Sequence, residues 1–156
     1  MPVLKEQYNY IRSAREVVLT HLTSLPETDL NSPVAAFNNK SISFMLVHIC
    51  NVYIHWAGNY ALGKGLQYHD EQKAFNLEGI STAFENVNEL MDEFFTNFEG
   101  KLLEEITAKI NGQMVTGSPL KVFTHVITHE FHHKGQLMSM TRLLGSYPPD
   151  TDVIRT

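Results

Sequence analysis

The sequence has little that would point to a disulfide framework, a membrane or a nucleic acid. Only one of its 156 residues, Cys50, is a cysteine, so no intramolecular disulfide is possible. No stretch approaches the ~20 apolar residues of a membrane-spanning helix, and the first residues lack the apolar core of a signal peptide. Lysine and arginine form no run and the net charge is −5, whereas nucleic-acid-binding proteins usually carry a basic stripe. We therefore expect a cytoplasmic protein with no membrane and no nucleic-acid partner.

What is present is an ordinary globular composition with an excess of histidine. Apolar residues make up 43% of the chain and charged residues 19%, which is typical of a folded domain. The length is that of one domain, and neither a repeat nor a linker divides it, so residues 1–156 are predicted to form a single domain. Four of the eight histidines fall between residues 125 and 133. That concentration makes this segment the first place to look for a site.

Hydrophobic periodicity predicts an all-α fold with four long helices. Apolar residues recur with a period near 3.6 over residues 4–25, 41–62, 81–100 and 118–144. Ser41 and Ser118 are suited to cap two of these helices at the N-terminus. Residues 26–40 read as a polar connection, and Asn111-Gly112 favours a short hairpin, or else an irregular segment, between the third and fourth helices. Connections of this kind favour a four-helix bundle with a crossover connection.

The fourth helix places two histidines on or near its apolar face. With ~100° between successive residues, His133 points into that face and His129 lies at its edge, whereas His125 and His132 fall on the flank. The spacing of four puts the rings of His129 and His133 on one side, about 6 Å apart along the axis. Two buried neutral imidazoles each leave a nitrogen without a partner, and a divalent ion would satisfy both. We predict a metal-binding pair; the alternative is one hydrogen-bonded core histidine beside one that faces solvent.

A third metal ligand must come from another helix, and the second helix offers His48 and His55. These two residues are two turns apart, roughly 10 Å along the axis, which is too far for both to bind the same ion. Periodicity leaves either of them possible. Three histidine ligands would leave a fourth position for water or substrate, as catalytic zinc sites do and structural ones do not.

Three other residues are candidates for the surroundings of the metal. Gln136 follows His133 by three residues, so its side chain is suited to bind a ligand ring or a water at the metal. Asn51 and Trp56 lie near His48 on the second helix and are candidates to line a pocket. The alternatives are an exposed glutamine and an aromatic residue that belongs to the core.

Residues 129–133, His-Glu-Phe-His-His, also match the metalloprotease pattern H-E-x-x-H. In such a zinc peptidase, Glu130 would be the general base that activates water. No histidine or glutamate follows Lys134 to supply the usual downstream ligand, so we treat the peptidase as the less favoured alternative. Glu130 and Lys134 are four residues apart on the same helix, and a surface ion pair is the favoured interpretation of them.

The segment His129-Glu-Phe-His-His-Lys-Gly-Gln136, followed by Leu143-Leu-Gly-Ser-Tyr-Pro-Pro149, resembles the hallmark of the DinB-like family of metal-binding bundles. Family members usually read His-x-x-x-His-Arg-Gly-Gln there, and in this sequence Lys134 stands where arginine is usual. The family's first ligand is a second-helix histidine preceded by apolar residues, and Phe44-Met-Leu-Val-His48 matches it. The resemblance covers essentially the whole chain. It implies His48, rather than His55, as the partner of His129 and His133.

The resemblance also implies how such a site is used. It suggests one divalent ion per chain, zinc or nickel, in a four-helix bundle that is often a homodimer. Characterised relatives include enzymes that use low-molecular-weight thiols and metal-dependent hydrolases. We expect a metal-dependent hydrolase or a thiol-dependent transferase acting on a small molecule; the alternative is a non-catalytic metal-binding stress protein. No role is predicted for His55, His125 or His132.

Overall fold

The computed structural model describes residues 1–155, and these are mostly helical. The helices are α1 (Pro2–Leu22), α2 (Glu27–Asn31), α3 (Ile42–Tyr53), α4 (Leu77–Asn97) and α5 (Pro119–Leu143). A 3-10 turn, Ala35–Phe37, precedes α3, and a π-helical segment, Ile54–Ala61, continues it. Strands β1 (Ile106–Ile110) and β2 (Gln113–Gly117) form a two-stranded antiparallel sheet. The helical prediction is therefore confirmed, with the correction that the chain is not purely all-α.

Side-chain caps set where three of the long helices begin. Ser41 and Ser118, the predicted caps, each accept a hydrogen bond from the backbone N–H three residues further on, at 3.1 and 3.3 Å. Helix α4 begins at Leu77, earlier than the predicted start near Ser81. The reason is Asn76, whose side-chain oxygen accepts a hydrogen bond from the backbone N–H of Gly79 at 2.9 Å.

The apolar core lies between the four longer helices, because α1 and α3 each contact both α4 and α5. Helix α4 contributes a continuous buried stripe, and Cys50 on α3 is buried as well. The stripe consists of Ile80, Ala83, Phe84, Val87, Leu90, Met91, Phe94 and Phe95. Within residues 1–155, no helix combines the length and apolar character that a bilayer crossing requires.

The hairpin between α4 and α5 is as predicted. Asn111 and Gly112 have φ values of 47° and 82°, which the tight type I′ turn requires at both central positions. The strands pair from Ile110 opposite Gln113 to the open end of the hairpin. The hydroxyl of Tyr60 donates to the Ile106 carbonyl at 2.8 Å and thereby fastens the hairpin to the π-helical segment.

The long connection between the π-helical segment and α4 has no regular structure, yet three asparagine side chains hold it in place. Each asparagine accepts a hydrogen bond from a backbone N–H and donates one to the carbonyl of the same residue, as a neighbouring strand would. The pairs are Asn59 with Leu66, Asn51 with His69, and Asn31 with Phe75. This anchoring lays the connection alongside the part of α3 that carries His48 and Asn51.

Candidate metal centre

Helices α3 and α5 bring His48, His129 and His133 together. The Nε2 atoms of His129 and His48 are 3.2 Å apart, and those of His133 and His129 are 2.9 Å apart. Each ring offers a ligand nitrogen within 4.8 Å of the other two. His55 is not part of this cluster, and its Nδ1 lies 2.8 Å from the hydroxyl of Tyr68 instead. Of the two second-helix histidines that periodicity left open, the structure thus places His48 beside the α5 pair.

Burial keeps two of these rings neutral. Desolvation, with the neighbouring His133 and His48 rings as smaller causes, lowers the pKa of His129 to about 4. Burial likewise lowers the pKa of His133. At neutral pH both rings therefore carry a lone pair, which is the form of histidine that binds metals.

The outer nitrogens of two rings have acceptors that fix the direction of their lone pairs. Nδ1 of His48 lies 3.1 Å from Oε1 of Glu71, and Nδ1 of His133 lies 2.6 Å from Oε1 of Gln136. Because a carboxylate and an amide oxygen only accept, each ring donates its Nδ1 proton outward and turns the lone pair of Nε2 inward. Gln136 thus contacts the ring of His133 from the outer side.

These residues fit a divalent cation. The Nε2 lone pairs of His48 and His133 both point inward, towards His129. A neutral His129 has one ring proton, which it can donate to only one of these lone pairs, so the other has no donor. Zinc–nitrogen bonds of about 2.0–2.1 Å in a tetrahedron place adjacent nitrogens roughly 3.3 Å apart, close to the observed 2.9 and 3.2 Å. The side chain of His48 is 31% exposed, so solvent and small molecules can reach the cluster. Three ligands leave a position free on such an ion.

Glu71 is a part of the site that sequence reasoning missed. Asn51, which was expected to line a pocket, instead donates through Nδ2 to Oε1 of Glu71 at 2.9 Å and to the carbonyl of His69 at 2.9 Å. Asn51 is 8% exposed, so this contact is made in the interior. Glu71 lies in an irregular connection without periodicity. The one available signal was an acidic residue close to a histidine in a polar loop.

Glu130 has a different role from either one predicted. Its carboxylate is 4% exposed and receives two hydrogen bonds from Arg15, at 2.7 and 2.8 Å, and one from Tyr53 at 2.6 Å. Lys134 donates instead to the carbonyl of Thr151 at 2.6 Å. The interpretation as a surface ion pair is wrong, because Glu130 faces a cation on α1 that lies 115 residues away in sequence. A carboxylate engaged in this way is not free to act as the base of a peptidase.

The contacts of Glu130 belong to a largely buried network that draws on all four of the longer helices. Arg15 on α1 also donates to Asn88 on α4 at 2.9 Å, while Tyr53 and Glu130 come from α3 and α5. Burial alone would lower the pKa of Arg15, but the Glu130 carboxylate raises it well above its usual value. Because Glu130 is the residue next to His129, the network fixes the orientation of α5 beside the pair formed by His129 and His133.

Trp56, the last of the predicted pocket residues, lies near the three histidines together with His125. Trp56 packs edge-on against His125, with ring centroids 5.2 Å apart, and both line a cavity of about 140 Å³. The ring of His125 is 5.6 Å from that of His129. His125 and His132 are exposed, as their flank positions indicated.

Comparisons with known proteins agree with the motif. The DinB family model matches residues 1–156. A DinB-like protein from Bacillus cereus ATCC 10987 has a similar structure, with a TM-score of 0.65 at 18% sequence identity, over 96% of each chain. At that identity the likeness is one of fold. No curated protein shows a significant match. Because the family match extends over the whole length, the chain belongs to the DinB family.

Proposed function

We propose that this protein binds one divalent ion through His48, His129 and His133 and acts as a metal-dependent enzyme on a small molecule. The observation that carries the proposal is the convergence of three imidazole nitrogens, the closest pairs of which are 2.9 and 3.2 Å apart. Zinc and nickel are the ions we expect, since both suit imidazole ligands. When bound, such an ion lowers the pKa of a water or thiol that it contacts and so supplies a nucleophile near neutral pH.

The protein's own residues prepare the site for this chemistry. Glu71 and Gln136 accept the Nδ1 protons of two rings and hold their lone pairs on the inner side. Desolvation keeps His129 unprotonated near neutral pH, and the partial exposure of His48 gives a substrate access. The family resemblance favours hydrolysis or transfer of a low-molecular-weight thiol as the reaction. A non-catalytic metal-binding stress protein is the second candidate, and it would need no accessible fourth position.

The bundle architecture, the oligomeric state and the cellular location are also part of the proposal. The contacts of α1 and α3 with both α4 and α5 support a four-helix bundle, with the long connections serving as crossovers. The family resemblance supports a homodimer, and the composition supports a cytoplasmic location without a nucleic-acid or membrane partner.

Cobalt substitution separates the enzyme from the non-catalytic protein. We expect the cobalt(II)-loaded protein to develop a thiolate-to-cobalt charge-transfer band when 2-mercaptoethanol is added, because the fourth position is open. His132→Ala, which changes an exposed neighbour of the cluster, should respond in the same way. A cobalt spectrum unaffected by both 2-mercaptoethanol and azide would contradict the enzyme proposal and favour the non-catalytic one.

A further inference from the structure

A small cavity lies beside the metal centre and is not part of it. It is bordered by the π-helical segment, by strand β2 with the residues around it, and by the N-terminal part of α5, and it is partly open to solvent, with a volume of about 140 Å³. Its lining consists of Trp56, Tyr60, Val115, Thr116, Gly117, Lys121, Val122 and His125. Two long helical elements and the hairpin thus meet at this cavity.

The lining offers apolar surface rather than hydrogen bonds. Trp56 and Tyr60 are four residues apart in the π-helical segment and meet edge to face, with ring centroids 5.6 Å apart. The hydroxyl of Tyr60 is engaged with the carbonyl of Ile106 at 2.8 Å, and the ring of Tyr60 is its apolar contribution to the lining. Val115 and Val122 add aliphatic surface on the other sides. Lys121 and His125 also border the cavity, but most of its surface is apolar, so a group that enters it gains mainly by leaving water.

The volume limits what can enter. An apolar protein cavity of about 150 Å³ accommodates one benzene molecule. The cavity here, at about 140 Å³, therefore suits one six-membered ring or a branched aliphatic group of similar size. A fused bicyclic group exceeds this volume.

His125 connects the cavity to the metal centre. It lines the cavity together with Trp56, and its ring centroid is 5.6 Å from that of His129. His125 and His129 are one turn apart on α5, a rise of about 6 Å along the axis. A substrate of modest length can therefore have its reacting group at the three histidines and an apolar group in the cavity.

We infer that this cavity, from here on the ring pocket, is the specificity pocket of the enzyme and binds a phenyl-sized apolar group of the substrate. The inference rests on the proposed function for the reacting end of the substrate, whereas the ring pocket itself does not depend on a metal. The substrate class is then a small molecule with a thiol-reactive or hydrolysable group, joined by a short linker to one aromatic ring or branched alkyl group.

A larger side chain at position 117, in place of Gly117, would occupy space at the ring pocket. A Cβ atom placed on Gly117 would lie 3.4 Å from the Tyr60 hydroxyl and 3.6 Å from Cδ of Lys121, which are ordinary contact distances to two lining residues. Gly117 has no positive φ, so a valine there suits the strand and fills space at the ring pocket. Gln113, an exposed residue on the same strand, provides the matched control as Gln113→Val.

The test measures binding of two hydroxamates to the zinc-loaded full chain. Trp56 is the only tryptophan in the sequence, so its fluorescence reports on the ring pocket directly. Phenylacetohydroxamate should bind at least tenfold more tightly than acetohydroxamate. Gly117→Val should abolish that preference and leave the affinity for acetohydroxamate unchanged, and Gln113→Val should keep the preference. Equal affinities for the two hydroxamates in the unaltered protein, or a preference that survives in folded Gly117→Val, would overturn the inference.

Two further measurements test the ring pocket without relying on the Gly117→Val variant or on the metal. A naphthyl analogue of the hydroxamate should lose the gain of the phenyl compound, and a naphthyl compound that binds more tightly still would contradict the ring pocket. Benzyl alcohol, which has no metal-binding group of comparable strength, should shift Trp56 emission with and without zinc. If benzyl alcohol does so while neither hydroxamate responds to zinc, the ring pocket is supported and the proposed function is contradicted.

Discussion

At the scale of single residues, the contact between Glu71 and His48 leads to a prediction about metal affinity. Glu71→Gln should weaken zinc binding by about 10–100-fold, because a neutral amide is a poorer partner for the Nδ1 proton of a ligating imidazole. Competition with a chromophoric chelator measures this affinity. Asp70→Asn, a change of the neighbouring exposed acid, should bind zinc as the unaltered protein does. If Glu71→Gln also does so, the carboxylate has no part in the site.

The metal centre also shows which of its residues can be predicted from spacing alone. The i, i+4 separation of His129 and His133 on an apolar face is a local property, so it could be predicted from the sequence. The choice between His48 and His55 depends on how two helices pack, and only the family resemblance favoured His48. Glu71 could not be predicted, because its position beside His48 is set by hydrogen bonds from Asn51 across an irregular connection.

At the scale of elements, local patterns located the helices and the hairpin but not their partners. The Asn111-Gly112 pair selects its own turn geometry, so the hairpin was visible in the sequence. The π-helical segment Ile54–Ala61 was not visible, since its apolar periodicity reads as an ordinary continuation of α3. The sequence favours a surface position for Glu130, because its i+4 neighbour, Lys134, offers a local partner. Its actual partner, Arg15, becomes apparent only once α1 and α5 pack together.

The stability of the packed helices should depend on the pair formed by Arg15 and Glu130. Glu130→Gln leaves the guanidinium buried without its counter-ion, and removing one partner of a buried pair costs about 3–5 kcal/mol. Urea unfolding of the metal-free protein measures the loss. Glu89→Gln, at an exposed position of α4, should change the free energy of unfolding by less than about 0.5 kcal/mol. An equally small change for Glu130→Gln would be the behaviour of a surface pair and would contradict the buried network.

At the scale of the whole molecule, composition and periodicity were enough to predict a mostly helical globular protein with one histidine-rich site. The way in which the elements surround that site could not be predicted, because it depends on long-range contacts. The asparagine anchors of the long connection and the network shared by α1, α3, α4 and α5 are such contacts. These contacts join residues that are far apart in the sequence, and they produce no periodic pattern in it.

Metal-free protein should lose stability in mildly acidic solution. The pKa of His129 is about 4 in the folded chain, against an ordinary value of 6.5, so the unfolded chain binds more protons between these two values. This contribution to stability is therefore fully present above pH 6.5 and is lost as the pH falls towards 4. Urea unfolding at pH 7 and pH 5 should show a smaller loss for His129→Asn than for the unaltered protein or for His132→Asn. An equal loss in all three would contradict the burial of a neutral His129.

Metal content tests the central claim most directly. After loading with zinc and exhaustive dialysis, inductively coupled plasma mass spectrometry should find one equivalent of zinc in the unaltered protein and in His132→Ala. His48→Ala, His129→Ala and His133→Ala should each retain far less than one equivalent, because every one of them removes a ligand nitrogen from the cluster. One full equivalent of zinc in the double variant His48→Ala, His129→Ala would contradict the assignment of the three histidines as the metal site.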